Sequence, residues 1–327
     1  MVCAGRLTTI GALYDCQLPI ADCRMRQVCW SVIATMNIER DVSLRQYRDH
    51  PRHWRENAYV YPVISRRSGG LSIGINLNPD TACNFDCVYC QVDRTATPRV
   101  REVDIGRLGG ELSQMIADVQ SGALFEDPAF TDVPAERWRI RDFAFSGDGE
   151  PTTCKHFRES VELVARLRLE AALDRAKIVL ITDACYLTKP DVVVALAVLD
   201  QNNGEIWAKL DAGTEAYYQR VNRPNYPLQH VIENIIAAAR VRPVVIQSLF
   251  MRLHGQEPVR AELMAFCDRL NEITMAGGRI DYVQVYTVAR RPAESYVTAL
   301  NDAEVDRIHD LVHKRTNLRT ESYYSAS

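Results

Sequence analysis

Residues 71–91, LSIGINLNPDTACNFDCVYCQ, join a short apolar segment to a loop that contains three closely spaced cysteines. Apolar residues alternate with small or polar ones over 71–78, and this pattern predicts a β-strand. Cys83, Cys87 and Cys90 follow the segment at a C-x3-C-x2-C spacing. The first strand of the pattern therefore leads directly into a loop with three thiol groups.

From residue 71 onward, apolar segments with strand character alternate with segments that have helical spacing. The predicted strands are 71–78, 139–146, 177–182, 205–211, 243–250 and 279–287, and the predicted helices are 104–120, 156–169, 189–199, 228–240, 259–274 and 302–315. This alternation indicates parallel βα units. We expect an α/β fold, a partial (βα)6 TIM-like barrel with parallel strands and a short N-terminal extension, whose ligands lie at the carboxyl ends of the strands. A doubly wound open sheet is the alternative that the pattern leaves open.

The same pattern divides the chain into three parts. We expect a partly helical N-terminal extension over 1–69, a core barrel over 70–295, and a C-terminal helix and tail over 296–327. Within the extension, 40–57 is predicted to be helical in two pieces, because Pro51 disfavours helix at the residue before it. The length of 327 residues fits one large α/β barrel.

Composition and charge exclude several classes of protein. Hydrophobic residues make up 47% and charged residues 25%, which is typical of a globular chain. A net charge of −3 gives no general attraction to phosphate backbones, so we expect no DNA partner. We find neither an apolar run long enough for a membrane span nor a signal peptide. With ten cysteines, three of them clustered, a chain of this length suggests metal in a reducing compartment, and we expect the cytoplasm.

A loop with three cysteines favours a different kind of metal site from a loop with four. Three thiolates bind three corners of a cubane iron–sulfur cluster, whereas four close the cluster for electron transfer or structure. One iron without a protein ligand then offers a coordination position to a small molecule, as open catalytic zinc sites do. A zinc site completed by a distant histidine or cysteine, and three unrelated buried cysteines, are the alternatives.

The C-x3-C-x2-C spacing, with the aromatic Tyr89 just before the last cysteine, resembles the signature of the radical S-adenosylmethionine superfamily. The resemblance implies that Cys83, Cys87 and Cys90 hold a [4Fe–4S] cluster whose open iron binds the amino and carboxylate groups of S-adenosylmethionine. It implies reductive cleavage to a 5′-deoxyadenosyl radical, which abstracts hydrogen from an unidentified substrate. The cofactors then carry the chemistry, and the protein binds and orients them. A reductase such as flavodoxin or ferredoxin is the implied electron donor.

Residues at later strand ends extend the resemblance. Gly147, Gly149 and Glu150, in FSGDGEPTT, resemble a GGE-type segment that binds the methionine amino group; an ordinary strand-to-helix turn is the alternative. Thr182 matches a Thr-Asn-Gly segment of the superfamily, but the next two residues depart from it. A lysine neutralises a carboxylate and an aspartate accepts ribose hydroxyls, although a solvated Lys–Asp pair is an alternative for residues 209 and 211. The candidate S-adenosylmethionine-binding residues are Tyr89, Gly147, Gly149, Glu150, Thr182, Lys209, Asp211, Gln247 and Gln284.

Five segments in order, CNFDCVYCQ, FSGDGEPT, KLDA, NRP and VQVYTVARRP, are similar to a narrower branch of the superfamily. This branch comprises uncharacterised iron–sulfur oxidoreductases related to the wyosine-synthesising tRNA enzymes, and the likeness covers roughly 70–295. Those tRNA enzymes carry a second cluster on three N-terminal cysteines. A second iron–sulfur cluster is therefore an alternative here for the N-terminal cysteines, Cys3, Cys16, Cys23 and Cys29.

The substrate stays open at this stage. RNA-base modification of the wyosine type competes with small-molecule or peptide modification and with activation of a glycyl-radical partner. A non-catalytic iron–sulfur or zinc protein is the rival from another class. The basic residues considered for RNA contact are Arg66, Arg67, Arg223, Arg290 and Arg291.

Overall fold

The computed structural model describes residues 46, 54–92 and 100–325. Residues 54–57 form a turn, and most of the remaining segment 40–57 lies outside the described residues. The N-terminal cysteines considered for a second cluster, Cys3, Cys16, Cys23 and Cys29, also lie outside them. The second cluster therefore stays a prediction.

The fold is built on one curled, mostly parallel sheet. Its strands are β1 (Val60–Ser65), β2 (Gly70–Ile75), β3 (Ile140–Phe145), β4 (Lys177–Thr182), β5 (Gly204–Lys209), β6 (Val244–Leu253), β7 (Ile280–Thr287), β8 (Val297–Ala299) and β9 (Thr320–Tyr323). The order is β1-β2-β3-β4-β5-β6-β7-β9, with β8 paired to β6. Strands β2 to β7 and β9 run parallel, whereas β1 and β8 pair antiparallel with their neighbours. The predicted partial (βα)6 barrel is confirmed.

Helices cover the outer face of the sheet. They are α1 (Ile105–Ser121), α2 (Phe157–Glu170), α3 (Pro190–Gln201), α4 (Glu215–Asn222), α5 (Leu228–Val241), α6 (Arg260–Met275) and α7 (Asp302–Thr316). Their ends follow local chemistry: the Asp104 carboxylate accepts a hydrogen bond from the Arg107 amide at 2.9 Å and begins α1. Gly122, with φ of 87°, ends it. Among the described residues, no helix is long and apolar enough to span a bilayer.

The two faces of the sheet differ in chemistry because side chains alternate along each strand. Ile73, Phe143 and Ile246 belong to a large hydrophobic cluster that includes the apolar faces of the helices. The alternate residues of the same strands face a central lumen, and several are polar: Ser72, Asp142, Lys209 and Gln247. A buried sheet with a polar inner face indicates a binding lumen and not a filled barrel.

The sequence pattern did not predict β1, which pairs with β2 in register from Val60 opposite Ile75 to Ser65 opposite Gly70. Pro62 lowers the strand signal of this segment, and proline within a sheet is confined mainly to edge strands such as this one. The turn between the two strands, residues 66–69, lies at the edge of the sheet where the parallel strands begin. This position brings the turn to the base of the lumen.

Candidate active site

The inner face of the sheet and the loops at its carboxyl edge enclose a cavity of about 330 Å³. Cys83, Cys87 and Cys90 line it at the carboxyl edge, and residues 65–68 line it at the opposite edge. The S-adenosylmethionine candidates that line it are Tyr89, Gly147, Gly149, Glu150, Thr182, Lys209 and Gln247, whereas Asp211 and Gln284 lie behind the wall. Of the basic residues considered for RNA, Arg66, Arg67 and Arg290 line it, and Arg223 and Arg291 do not.

The cysteine loop is held by backbone hydrogen bonds to three segments that are distant in the sequence. These bonds run from Glu150 N to Ala82 O (3.2 Å), from Val88 N to Val221 O (2.9 Å) and from Ala293 N to Cys90 O (2.7 Å). Glu150 lies after β3, Val221 lies near the end of α4, and Ala293 lies after β7. Three different units of the barrel therefore hold the loop in place. A loop anchored at both sides presents its thiol groups in defined positions.

Arg223 adds a charged link between these segments. It adopts a left-handed backbone conformation, with φ of 44°, at the end of α4. Its guanidinium pairs with Asp86 of the cysteine loop at 3.3 Å and with Glu294 at 2.7 Å, and it donates to the Tyr296 hydroxyl at 3.0 Å. Arg223 therefore contributes to the arrangement of the loop through these partners.

A buried polar cluster supports the second cysteine. The Asn222 side-chain amide donates to the Cys87 sulfur at 3.5 Å and to Asp211 Oδ2 at 2.9 Å. The Tyr89 hydroxyl also donates to Asp211, and the other oxygen of this carboxylate accepts the Leu249 amide at 2.9 Å. Asp211 is 2% exposed. Most of its acceptor positions are occupied by donors of the protein itself. Asp211 therefore holds the side chains of Tyr89 and Asn222 in place.

Sequence reasoning did not single out Asn222. The NRP segment was recognised, but the resemblance gave the asparagine no role. Its one sequence signal is its place before Arg223 and Pro224, where a helix has to end and side-chain amides commonly serve the turn.

The environment of the three thiols indicates which kind of metal group they could hold. All three are unbridged and half-buried. Burial raises the pKa of the Cys87 thiol to about 12, and the nearby Lys209 opposes this effect. Among the described residues, no three His, Cys, Asp or Glu side chains gather closely enough to hold one metal ion. One zinc ion would need sulfurs about 4 Å apart, since each Zn–S bond is about 2.3 Å. In a cubane cluster each thiolate binds a different iron, so the thiols fit that group better.

The glycine-rich turn after β3 packs tightly against the base of the cysteine loop. A Cβ atom on Gly149 would lie 1.8 Å from the Ala82 carbonyl oxygen, and one on Gly147 would lie 2.4 Å from Asn76 Oδ1. Side chains are excluded at both positions by this close approach. The glycines are thus required by the protein's own packing, independently of any ligand.

Glu150 is buried beside this turn and accepts four hydrogen bonds. Its Oε1 accepts the Thr152 amide at 3.1 Å, the Thr152 hydroxyl at 2.5 Å and the Thr182 hydroxyl at 2.8 Å. Its Oε2 accepts one bond, from the Asp183 amide at 2.7 Å. Burial raises the pKa of the Glu150 carboxyl. Because each carboxylate oxygen has about two acceptor positions, Oε2 keeps one position for a further donor.

Asp183 forms a second buried carboxyl on the same wall, and the sequence treated it only as a departure from Thr-Asn-Gly. Burial, followed by the charge of Glu150, raises the pKa of Asp183 well above its usual value. Its Oδ1 accepts the Cys185 amide at 2.9 Å, whereas its buried Oδ2 has no hydrogen-bond partner. Asn84 lies near enough to lower the pKa of Asp183, but its Nδ2 also has no bond of acceptable geometry. An ammonium group beside Glu150 and Asp183 would complete these acceptors, which fits the amino group of S-adenosylmethionine.

Lys209 begins a hydrogen-bond chain across the lumen. Its Nζ lies 3.6 Å from Asp211 Oδ2 and donates to the Tyr286 hydroxyl at 3.1 Å. The Tyr286 hydroxyl donates to Gln247 Oε1 at 3.4 Å, and Gln247 Nε2 donates to Gln284 Oε1 at 3.2 Å. Burial works to lower the pKa of Lys209, but the Asp211 carboxylate raises it above its ordinary value. A lasting positive charge therefore stands on the wall near the cysteines.

Comparison with curated proteins gives distant similarities. No protein-family model matches the sequence. The chain is 23% identical over 251 residues to a protein named GTPase Obg from Brachyspira hyodysenteriae. This match covers 75% of this chain and 32% of that protein. It is also 28% identical over 178 residues to a UPF0026 protein of Methanocaldococcus jannaschii. This match covers 54% of this chain and 48% of the relative. The matches span between about a third and a half of these relatives' lengths.

Among solved structures, the chain is similar to the crystal structure of archaeal TYW1, with a TM-score of 0.45 and 7% identity. The similarity covers 90% of this chain and 90% of that chain. Both the TM-score and the identity are low, so this likeness supports no conclusion about the fold or the activity. The interpretation of the site consequently rests on the chain's own residues.

Proposed function

We propose that the protein is a radical S-adenosylmethionine enzyme. The observation that carries the proposal is that three cysteines on one anchored loop line the same cavity as a pair of buried carboxyls, Glu150 and Asp183. When bound by Cys83, Cys87 and Cys90, a [4Fe–4S] cluster would supply one-electron reduction of S-adenosylmethionine. The protein's residues hold and orient both groups.

The cavity wall offers complementary charges for S-adenosylmethionine. Glu150 and Asp183 provide acceptors for its ammonium group, and Lys209 provides a cation for its carboxylate. Tyr89 contributes a ring that Lys209 Nζ overlies at 4.9 Å from the centroid. Gly147, Gly149, Thr182 and Gln247 shape the wall around these groups, while Asp211 and Gln284 orient side chains that do line it. A low-molecular-weight reductase, flavodoxin or ferredoxin, is the proposed electron donor.

The proposal is tested with full-length protein that is reconstituted and reduced without oxygen. We expect about four irons per chain and formation of 5′-deoxyadenosine from S-adenosylmethionine. About eight irons would indicate the second cluster on the N-terminal cysteines. In Glu150→Gln, S-adenosylmethionine should bind at least tenfold more weakly by equilibrium dialysis, whereas exposed Glu170→Gln should bind it normally. Stoichiometric zinc without iron, or an iron-loaded chain that does not bind S-adenosylmethionine, would contradict the proposal.

No specific observation favours a second function. The sequence contains no G-x-x-x-x-G-K-[ST] segment, so the name of the Brachyspira relative gives no reason to place a nucleoside triphosphate on this chain. The cavity of about 330 Å³ is too small for a whole RNA, peptide or glycyl-radical partner. Such a substrate would have to insert a single protruding group into it. Location in the cytoplasm stays a prediction.

A further inference from the structure

Arg67 extends from the β1–β2 turn into the base of the cavity. Its guanidinium carbon lies 5.0 Å from the ring centroid of Trp207 on β5 and 5.4 Å from that of Tyr286 on β7. All three residues line the cavity, and Tyr286 also accepts the hydrogen bond from Lys209. Contact with two aromatic faces fixes the direction of the guanidinium. Its N–H donors lie in its own plane, and these contacts do not use them.

Those donors have no acceptor within the part of the chain that the structure describes. Arg67 makes no hydrogen bond there, and no carboxylate oxygen lies within 4.0 Å of its guanidinium. Asp142 is the acidic residue whose pKa it lowers, so the two lie near each other without forming an ion pair. The Ser72 hydroxyl donates to Asp142, which occupies one of its acceptor positions. Arg67 thus carries five unused donors on a cavity wall.

A second donor is unused at the same place. Trp207 is 4% exposed, and its indole Nε1 is buried without a hydrogen-bond partner. A buried tryptophan N–H usually finds an acceptor, because leaving it unpaired costs free energy. The adjoining Arg66 is engaged differently, since it donates to the Tyr324 carbonyl oxygen. The base of the cavity therefore combines a cation and an indole donor, and neither donates a hydrogen bond to a described residue.

We propose that this end of the cavity binds an oxyanion, a carboxylate or phosphate, of the substrate. A guanidinium matches such a group with two parallel N–H···O bonds, and the unpaired Trp207 indole N–H is a further donor in the same cavity wall. This inference rests on the proposed function, because it assigns the cysteine end to S-adenosylmethionine and the Arg67 end to the substrate. The substrate class is then a small organic acid or phosphate ester whose reacting carbon lies between the two ends.

The test measures anion binding directly, apart from catalysis. Inorganic phosphate and succinate are titrated separately into cluster-loaded full-length protein by calorimetry, at constant ionic strength held with sodium chloride. We expect saturable binding of at least one anion, weakened at least tenfold in Arg67→Gln and unchanged in Arg175→Gln, an exposed arginine outside the cavity. Binding of phosphate alone indicates a phosphate ester, and binding of succinate alone indicates a carboxylic acid.

Two further variants separate a binding role from a folding role. Arg67→Lys keeps the charge but loses the planar fork, so we expect an intermediate loss of affinity. Trp207→Phe keeps a ring against Arg67 but removes the N–H donor, and we expect a loss of a few-fold. Equal affinity in Arg67→Gln and the parent protein, or no saturable binding of either anion, would overturn the inference. Arg67-dependent binding in a chain that fails to cleave S-adenosylmethionine would overturn the proposed function and leave the anion site standing.

Discussion

The side-chain amide of Asn222 donates a hydrogen bond to the sulfur of Cys87 across 3.5 Å. The two residues are 135 positions apart in the sequence. The same amide nitrogen donates to Asp211 at 2.9 Å, so one side chain connects the cysteine loop to the end of β5. The position of the second thiol is therefore set by the end of α4 as well as by its own loop.

Replacing Asn222 by alanine should weaken this connection. The variant removes the donor that serves Cys87, Tyr89 and Asp211, and it leaves a buried carboxylate oxygen with fewer bonds. We expect the free energy of unfolding to fall by roughly 1–3 kcal/mol, as measured by urea denaturation of the metal-free chain. Asn271→Ala, which removes only a long exposed bond to the Arg315 carbonyl, should change it by less than about 0.5 kcal/mol. Equal effects of the two substitutions would show that the connection contributes little.

Each cysteine of the loop should be needed for iron. We expect Cys83→Ala, Cys87→Ala and Cys90→Ala each to lower the iron content from about four per chain to near zero, because in the proposed function each thiolate would bind a separate corner of the cluster. Iron and sulfide analysis of anaerobically reconstituted protein measures this content. Cys154→Ala is the matched control and should retain full iron, since this half-buried cysteine lies outside the loop. A complete visible absorption spectrum in Cys87→Ala would rule out its assignment.

Two glycine substitutions should have opposite effects on stability. In Gly149→Ala the added methyl meets the Ala82 carbonyl 1.8 Å away, so the cysteine loop has to move. We expect a loss of more than about 3 kcal/mol in the free energy of unfolding, or failure to fold. Gly110→Ala places its methyl in open space on α1 and should stabilise the protein by about 0.5–1 kcal/mol, because alanine favours helix. Thermal denaturation compares the two, and similar melting temperatures would contradict the close packing of the turn.

Asp142 should make stability depend on pH. Burial raises the pKa of its carboxyl, Ser68, Ser72 and Arg67 oppose the rise, and Glu205 adds to it. A carboxyl with a raised folded-state pKa adds stability below its unfolded pKa, about 3.9 for aspartate, and this contribution is lost as the pH rises through the folded-state value. The amide introduced by the Asp142→Asn substitution does not titrate. The parent protein should therefore lose stability relative to this variant as the pH rises above about 4 and through the raised pKa of Asp142.

Urea denaturation at several pH values measures that difference in unfolding free energy. The exposed Asp174→Asn variant is the control, and its difference from the parent should stay nearly constant over the same range. A difference between the parent and Asp142→Asn that stays constant, or that changes in the parent's favour as the pH rises, would show that burial does not raise the pKa of Asp142.

The six parallel strands and most helices could be predicted because their apolar periodicity is strong and local. The same periodicity missed β1, where Pro62 interrupts the pattern, and α4, whose eight residues are too few for a clear helical repeat. The four residues of β9 are all half-buried, so they too lack alternation. Short edge elements are fixed by their neighbours in the fold, and a single sequence carries little signal for them.

The cysteine spacing was visible in the sequence, but the surroundings of the thiols were not. Asp211 was predicted as a ligand contact from its place at a strand end, and the structure puts it behind the wall, where it holds Tyr89 and Asn222. Asp183 departs from the Thr-Asn-Gly pattern, and the structure shows it as a buried residue of the cavity wall. Whether a carboxylate binds a ligand or another residue of the protein depends on which loops pack against it. These loops are far apart in the sequence, so no local sequence pattern reveals their contacts.

The backbone bonds of the cysteine loop also determine the order in which the site can be made. The thiols are synthesised early, but the segment that pairs with Cys90 begins at Ala293, about two hundred residues later. A nascent chain in which β7 has not yet been synthesised lacks the hydrogen bond from Ala293 N to Cys90 O. The cysteine loop therefore acquires its last backbone anchor only after β7 and the segment that follows it have been synthesised.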